Sequence, residues 1–170
     1  MQVYLTGAIE YSPDHGKRWR AEVTPFLRSL GHEVYDPAED ETKNLTEVER
    51  REFRGWKHSD LPRFQQTIRK IIAYDLDWIE ERTDYIIAYW DEHASKGAGS
   101  QAELTLAHRR GIPVYLVTEL PVGHVSGWIL GCASKVFGGF DELKQFLAMR
   151  YSRTEGNVEA PQLGQATKIG

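Results

Sequence analysis

Cysteine is almost absent from this chain: Cys132 is the one thiol in 170 residues. That excludes an internal disulfide and any multi-cysteine metal site, and leaves Cys132 as a small core residue. A basic surplus is missing as well. With 21 Lys and Arg against 25 Asp and Glu, the net charge is −4, the wrong balance for a nucleic-acid groove. No stretch approaches the roughly 18 apolar residues of a membrane span. The N-terminus runs from Met1-Gln2 directly into Val3-Tyr4-Leu5, without the basic-then-apolar pattern of a signal peptide. The histidines, at 15, 32, 58, 93, 108 and 124, show no metal-ligand spacing. These exclusions predict a cytoplasmic protein with no metal or cofactor, no nucleic-acid partner and no membrane contact.

What is present reads as one domain, at residues 1–150, followed by an aperiodic polar tail at 151–170. Val3-Tyr4-Leu5 is a short apolar run stopped by Thr6-Gly7-Ala8, the pattern of a buried strand. Ser12-Pro13-Asp14 offers helix-start chemistry, and Trp19, Val23, Phe26, Leu27 and Leu30 follow at helical spacing up to Gly31. A second strand at 32–37 ends in Pro37. Residues 38–62 are charged and irregular, with a helix expected at 45–56; a connection of that length is often a lid or binding loop. A helix at 62–81, a strand at 84–90, a helix opening at Gly99 and ending near Gly111, and a strand at 113–117 come next. A helical stretch at 125–130, a short strand at 135–137 and a last helix at 141–149 complete the pattern. Strands alternating with helices predict an α/β fold, a parallel sheet covered on both faces. Sites in such sheets form beyond the carboxyl ends of the strands, where Gly7-Ala8, Asp36 and the stretch from Asp91 to Glu103 would gather.

Two carboxylates occupy helix positions that ought to be apolar. Glu103 shares a face with Leu106 and Ala107, and Asp75 shares one with Ile71, Ile72, Trp78 and Ile79. A carboxylate in such surroundings is unfavourable unless paired or used, and a pair of them points to nucleophilic and acid–base chemistry. Each also has a plain structural explanation. Glu103 completes a Ser-x-x-Glu pattern with Ser100 and could cap its own helix; Asp75 could pair with Lys70 or Arg82. Gly97-Ala98-Gly99-Ser100 leads into a helix N-terminus, which suits an anionic or closely approaching ligand. Tyr4, on a buried strand, needs a hydroxyl partner, and Glu103 would serve. Trp56, Trp78 and Trp90 could stack on a planar base, although core packing is the commoner use of tryptophan.

Val3-Tyr4-Leu5-Thr6-Gly7-Ala8, Asp75-Leu76-Asp77-Trp78-Ile79, Asp84-Tyr85-Ile86-Ile87-Ala88, Gly99-Ser100-Gln101-Ala102-Glu103-Leu104, Ala107 and Gly111-Ile112-Pro113-Val114 occur in that order. The set resembles the nucleoside 2-deoxyribosyltransferase family over roughly residues 2–148. The resemblance implies a flavodoxin-like five-stranded parallel sheet with helices on both faces. It implies base exchange on 2′-deoxynucleosides, with Glu103 attacking C1′ to form a deoxyribosyl ester, Asp75 donating a proton to the departing base and Tyr4 orienting the glutamate. Gly7 and Ala8 would line the sugar pocket, with Gly99 and Ser100 beside it. The implied partners are a nucleoside and a free base, in a homo-oligomer. A covalent carboxylate intermediate with net retention agrees with the two misplaced acids, and burial would let Asp75 hold a proton near neutrality.

The chain departs from the family pattern in three places. Some members carry a further aspartate just before the glutamate; here that stretch is Ala94-Ser95-Lys96-Gly97, and Asp91 and Glu92 lie upstream. Asp91 is the candidate sugar contact. Some members end in an aromatic residue whose carboxylate enters a neighbour's site, whereas this chain runs on to Gly170. Near Gly123-His124 some members have an asparagine, so His124 is a candidate contact supplied by a neighbouring subunit. Two other functions compete. One is N-glycosidase hydrolysis of (deoxy)nucleoside 5′-monophosphates: Glu10 in the first loop would repel a phosphate, while Lys17, Arg18 and Ser100 would favour it. The other is a non-catalytic nucleotide-binding module.

Overall fold

The computed structural model describes residues 1–40 and 44–151. Five strands run parallel: β1 (Gln2–Gly7), β2 (Glu33–Tyr35), β3 (Tyr85–Tyr89), β4 (Val114–Val117) and β5 (Lys135–Phe137). Their order across the sheet is β2-β1-β3-β4-β5, the flavodoxin-like arrangement expected from sequence. β1, β3 and β4 are nearly continuous apolar runs because both of their faces are covered.

The faces divide by strand periodicity. Val3, Leu5, Tyr85, Ile87, Tyr115 and Val117 point to one side. There they meet Trp19, Val23 and Leu27 of α1 (Lys17–Ser29) and Leu143 and Leu147 of α6 (Phe140–Tyr151). Tyr4, Ile86, Ala88, Val114 and Leu116 point to the other. They pack on Ile79 of α3 (Leu61–Arg82), Leu104 and Ala107 of α4 (Gly99–Arg110), and Ile129 and Cys132 of α5 (Gly127–Cys132). α2 (Glu47–Ser59) lies over α3, and Phe53 and Trp56 pack with Leu45, Phe64 and Ile71 in a satellite core of their own.

The helix at 45–56 starts and ends later than expected, for a local reason. Thr46 and Glu49 form a reciprocal capping box, Glu49 N donating to Thr46 Oγ1 at 3.3 Å and Thr46 N to Glu49 Oε2 at 2.8 Å. Asp60 then caps α3 by accepting from Arg63 N at 3.1 Å. α1 starts at Lys17, several residues past Ser12-Pro13-Asp14. Asp14 receives the backbone N–H groups of Gly16 and Arg18 at 2.9 and 3.0 Å, while His15 and Gly16 take left-handed conformations. Tyr151, assigned from sequence to the tail, is the last residue of α6 and stacks on Tyr85 with ring centroids 5.6 Å apart. The rest of the expected tail lies outside the described residues. No helix among the described residues is long and apolar enough to cross a membrane.

Candidate active site

The strand order reverses between β1 and β3, the chain leading from β1 to β2 on one side and from β3 to β4 on the other, so a crevice opens beyond their carboxyl ends. A cavity of about 490 Å³ fills it. Thr6, Gly7 and Ala8 of β1 and its loop form the floor, with Glu103, Gly99 and Ser100 of α4 on one side. Asp75, Phe64, Ile68 and Ile72 of α3 face them. The two carboxylates singled out in the sequence therefore open into one space.

Glu103 does not cap its own helix. Its Oε1 accepts from the Tyr4 hydroxyl at 3.0 Å, and its Oε2 accepts from the Thr6 hydroxyl. Tyr4 and Thr6 are two apart on one strand and so point to the same face, both at the carboxylate on α4. The N-cap of α4 is Ala98, which makes no side-chain cap. Asp75 receives the Tyr35 hydroxyl in a long contact of 3.5 Å, and Tyr35 is held by Trp78, stacked at 4.0 Å. Lys70 bonds Glu49 at 2.6 Å, and Arg82 lies over the Trp78 ring at 4.5 Å.

The electrostatics oppose one another. Burial is the largest influence on Glu103 and raises its pKa, with the nearby charge of Asp75 adding to the rise. The hydrogen bonds from Thr6 and Tyr4 and the charge of Arg20 act in the other direction. Burial and then Glu103 push the Tyr4 hydroxyl well above its usual range, so it stays protonated and remains a donor.

Arg20 is buried behind the floor. Its guanidinium donates to the Gly16 carbonyl at 3.1 Å and the Gly7 carbonyl at 3.3 Å, and its Nε lies 3.0 Å from Asp36 Oδ1. That last contact is ionic, without the alignment of a hydrogen bond. Burial lowers the Arg20 pKa and raises that of Asp36 despite their pairing. Gly16, at φ 69°, lets the loop fold over the guanidinium: a Cβ there would overlap Arg20 and the Ala8 carbonyl. Gly7 is needed for closeness, since a Cβ would stand 3.0 Å from the Tyr89 carbonyl and 3.2 Å from the Trp19 ring.

Of the residues expected at the site, Glu103, Asp75, Gly7, Ala8, Gly99 and Ser100 line the cavity, and Tyr4 supports it from beneath. Asp91 does not line it. Its carboxylate turns back to accept from the backbone N–H groups of His93 and Ala94 at 2.9 and 2.8 Å, which shapes the loop ahead of α4. His124 stands exposed on a 3₁₀ turn at Val122–His124 and borders no part of the cavity within one chain. Lys17 and Arg18, which would have favoured a phosphate, are also absent from its walls. Trp56 and Trp90 are buried in packing and, like Trp78, do not face it. Among the described residues no group of His, Cys, Asp and Glu has the arrangement of a metal site.

Thr6, Arg20, Lys57, His93 and Lys96 were not anticipated. Thr6 was detectable from strand period once Tyr4 was assigned. Phe64, Ile68 and Ile72, on the apolar side of α3, also wall the cavity, Ile72 being 49% exposed.

No family model matches the chain, and no curated protein matches it. Solved structures do. A 2-deoxyribosyltransferase from Bacillus psychrosaccharolyticus superposes with a TM-score of 0.58 at 16% identity, over 85% of this chain and 90% of that one. A conserved protein from Enterococcus faecalis V583 gives 0.54 at 16% identity, covering 88% and 98%. A CMP N-glycosidase from Clostridium botulinum gives 0.53 at 17% identity, covering 88% and 99%. At these identities the likeness establishes the fold: the five-stranded α/β architecture that this chain shares with a deoxyribosyltransferase and a nucleotide N-glycosidase.

Proposed function

We propose that the protein is a nucleoside 2-deoxyribosyltransferase, exchanging the base of 2′-deoxynucleosides through a deoxyribosyl ester on Glu103. The observation that carries this is the placement of Glu103, held by Tyr4 and Thr6, across one cavity from Asp75. The ionised Glu103 attacks C1′: a C1′–O bond forms, the C1′–N bond breaks, and its electron pair leaves with the base. Asp75 gives its proton to that base. An incoming base then attacks C1′ from the opposite side, returns a proton to Asp75 and frees the glutamate. Two inversions give net retention. Tyr4 and Thr6 fix the carboxylate and stabilise its charged form. Arg20 holds the Gly7–Gly16 loop that carries the sugar-binding floor.

A nucleoside is favoured over a nucleotide by the rim of the cavity. Lys57 is bonded to Glu10 at 2.6 Å, so its charge is already neutralised. The opposing observation is Lys96 beside Ser100 at the start of α4, which supports 5′-monophosphate hydrolysis as the second reading.

The test is incubation with thymidine and free adenine, then chromatography, with Glu103→Ala alongside. Deoxyadenosine formed only by the intact protein is the expected result. Thymine and free deoxyribose without deoxyadenosine would make water the acceptor. Turnover of 5′-monophosphates alone would establish the second reading. Ligand binding with no turnover, unaffected by Glu103→Gln, would mark a binding module.

A further inference from the structure

The cavity does not end at Asp75. A second compartment of about 450 Å³ continues outward beneath α2, and Asp75, Phe64, Ile68 and Pro37 border both spaces. The outer one adds walls of its own: Phe53 and Ile71, with Arg54, His58 and His15 towards solvent. Either compartment alone falls within the usual range for a small-ligand site. A nucleoside reacting at Glu103 and touching Asp75 occupies the inner space and leaves the outer one unused.

We infer that this outer compartment is a subsite for an uncharged, apolar substituent on the base, carried on the edge remote from the glycosidic nitrogen. The inference rests on the nucleoside reading of Glu103 and Asp75. Continuity supplies the direction: a base whose near edge meets Asp75 aims its far edge through the shared wall. The lining supplies the chemistry. Phe53 and Phe64 lie nearly parallel, 5° apart with centroids at 6.5 Å, and Ile68, Ile71 and Pro37 complete an apolar slot. Apolar surface entering such a slot leaves water with a favourable free energy. The boundary supplies the charge preference. The Lys57–Glu10 pair joins α2 to the first loop where the two spaces meet, so these two bordering charges offset one another. Arg54 lies over the Phe53 ring at 5.1 Å. The substrate class is thus a 2′-deoxynucleoside of an aryl- or alkyl-substituted base.

The test compares 6-benzylaminopurine with adenine as acceptors from thymidine, using the intact chain and His58→Trp. His58 is exposed and lines only the outer compartment, so a tryptophan there obstructs the slot without entering the core. The expected kcat/KM for 6-benzylaminopurine exceeds that for adenine by about tenfold, the lower end of what an apolar pocket discriminates. His58→Trp should reduce that ratio by about the same factor. An intact protein that uses adenine and rejects the benzylated base overturns the subsite, as does a ratio that His58→Trp leaves unmoved. Binding of the two free bases, measured by calorimetry, separates this inference from the reaction. Tighter binding of 6-benzylaminopurine that His58→Trp abolishes supports the subsite even where no exchange occurs. Equal binding of both bases overturns it even where exchange does.

Discussion

Glu103 is a carboxylate that burial disfavours and two hydroxyls restore. In the proposed reaction only the charged form attacks C1′, so the balance has a kinetic consequence. Burial sets the pKa above the ordinary carboxylate range, so the rate should fall as pH drops through that raised value. Tyr4→Phe removes a hydrogen bond to the charged form and should move this acid limb to higher pH. A limb left in place would show that Tyr4 does not act on Glu103. The same shift has a stability consequence. A carboxyl with a raised folded pKa contributes stability that is complete below its unfolded value, about 4.3, and lost as pH rises through the folded one. Glu103→Gln carries no such loss. Its melting temperature should match the parent near pH 4 and exceed it progressively as pH rises through the window. A constant difference at every pH would contradict burial as the dominant influence. Asp75 is tested differently: Asp75→Asn should reduce turnover of thymidine by about 10²–10⁴, and by less for a nucleoside of 5-fluorouracil, whose anion leaves with less help from a proton. Near-normal turnover of thymidine would refute its role as the acid. Both carboxylates were legible in the sequence because each interrupts an apolar helix face. Thr6 was legible only through Tyr4, two residues away on the same strand face, because a threonine on a strand has nothing unusual about it until its partner is known.

At the scale of elements, the β1–α1 loop shows why some of the site escaped. Arg20 lies on a helix face shared with Trp19 and Val23 and gives no sequence signal of being buried. Its partner Asp36 follows β2, and the two meet only once the sheet has formed. Burial moves both away from their charged forms, so the pair is poorly explained as a net stabiliser and well explained as an anchor for the Gly7 and Gly16 carbonyls. Asp36→Ala would strand the buried guanidinium. It should lower the unfolding free energy by about 3–5 kcal/mol, read from urea denaturation; a change within ~0.5 kcal/mol would show the pair to be solvated. α3 shows the opposite difficulty. Phe64, Ile68 and Ile72 recur at helical spacing whether they face a core or a cavity, and periodicity alone cannot separate the two. Asp75 on that stripe was the clue that the apolar face opens onto a site. Asp91 lies outside the cavity for a local reason: an acid just after a strand can close a turn on its own backbone as readily as bind a ligand.

At the scale of the whole molecule, alternation of strand and helix was enough to give the parallel sheet, and the family resemblance gave its order. The alternation depends on regular hydrophobic patterns that tertiary context seldom overrides, and the resemblance on a set of motif residues in a fixed order. The sheet order then determines where chemistry can sit. The chain leaves β1 and β3 towards opposite edges of the sheet at the crevice, and Glu103 and Asp75, 28 residues apart in the chain, arrive there from two different helices. Within the connection at 38–62, irregular in sequence, Glu47–Ser59 form α2 and roof the outer compartment, on a core separate from that of the sheet. The most direct measurement of the central claim is mass spectrometry of the protein quenched in acid during turnover of thymidine without an acceptor base. The predicted result is one added 2-deoxyribosyl group on the peptide containing Glu103, lost when adenine is supplied and never formed by Asp75→Asn at the parent rate. Turnover with that peptide unmodified, or an adduct on another residue, would contradict it.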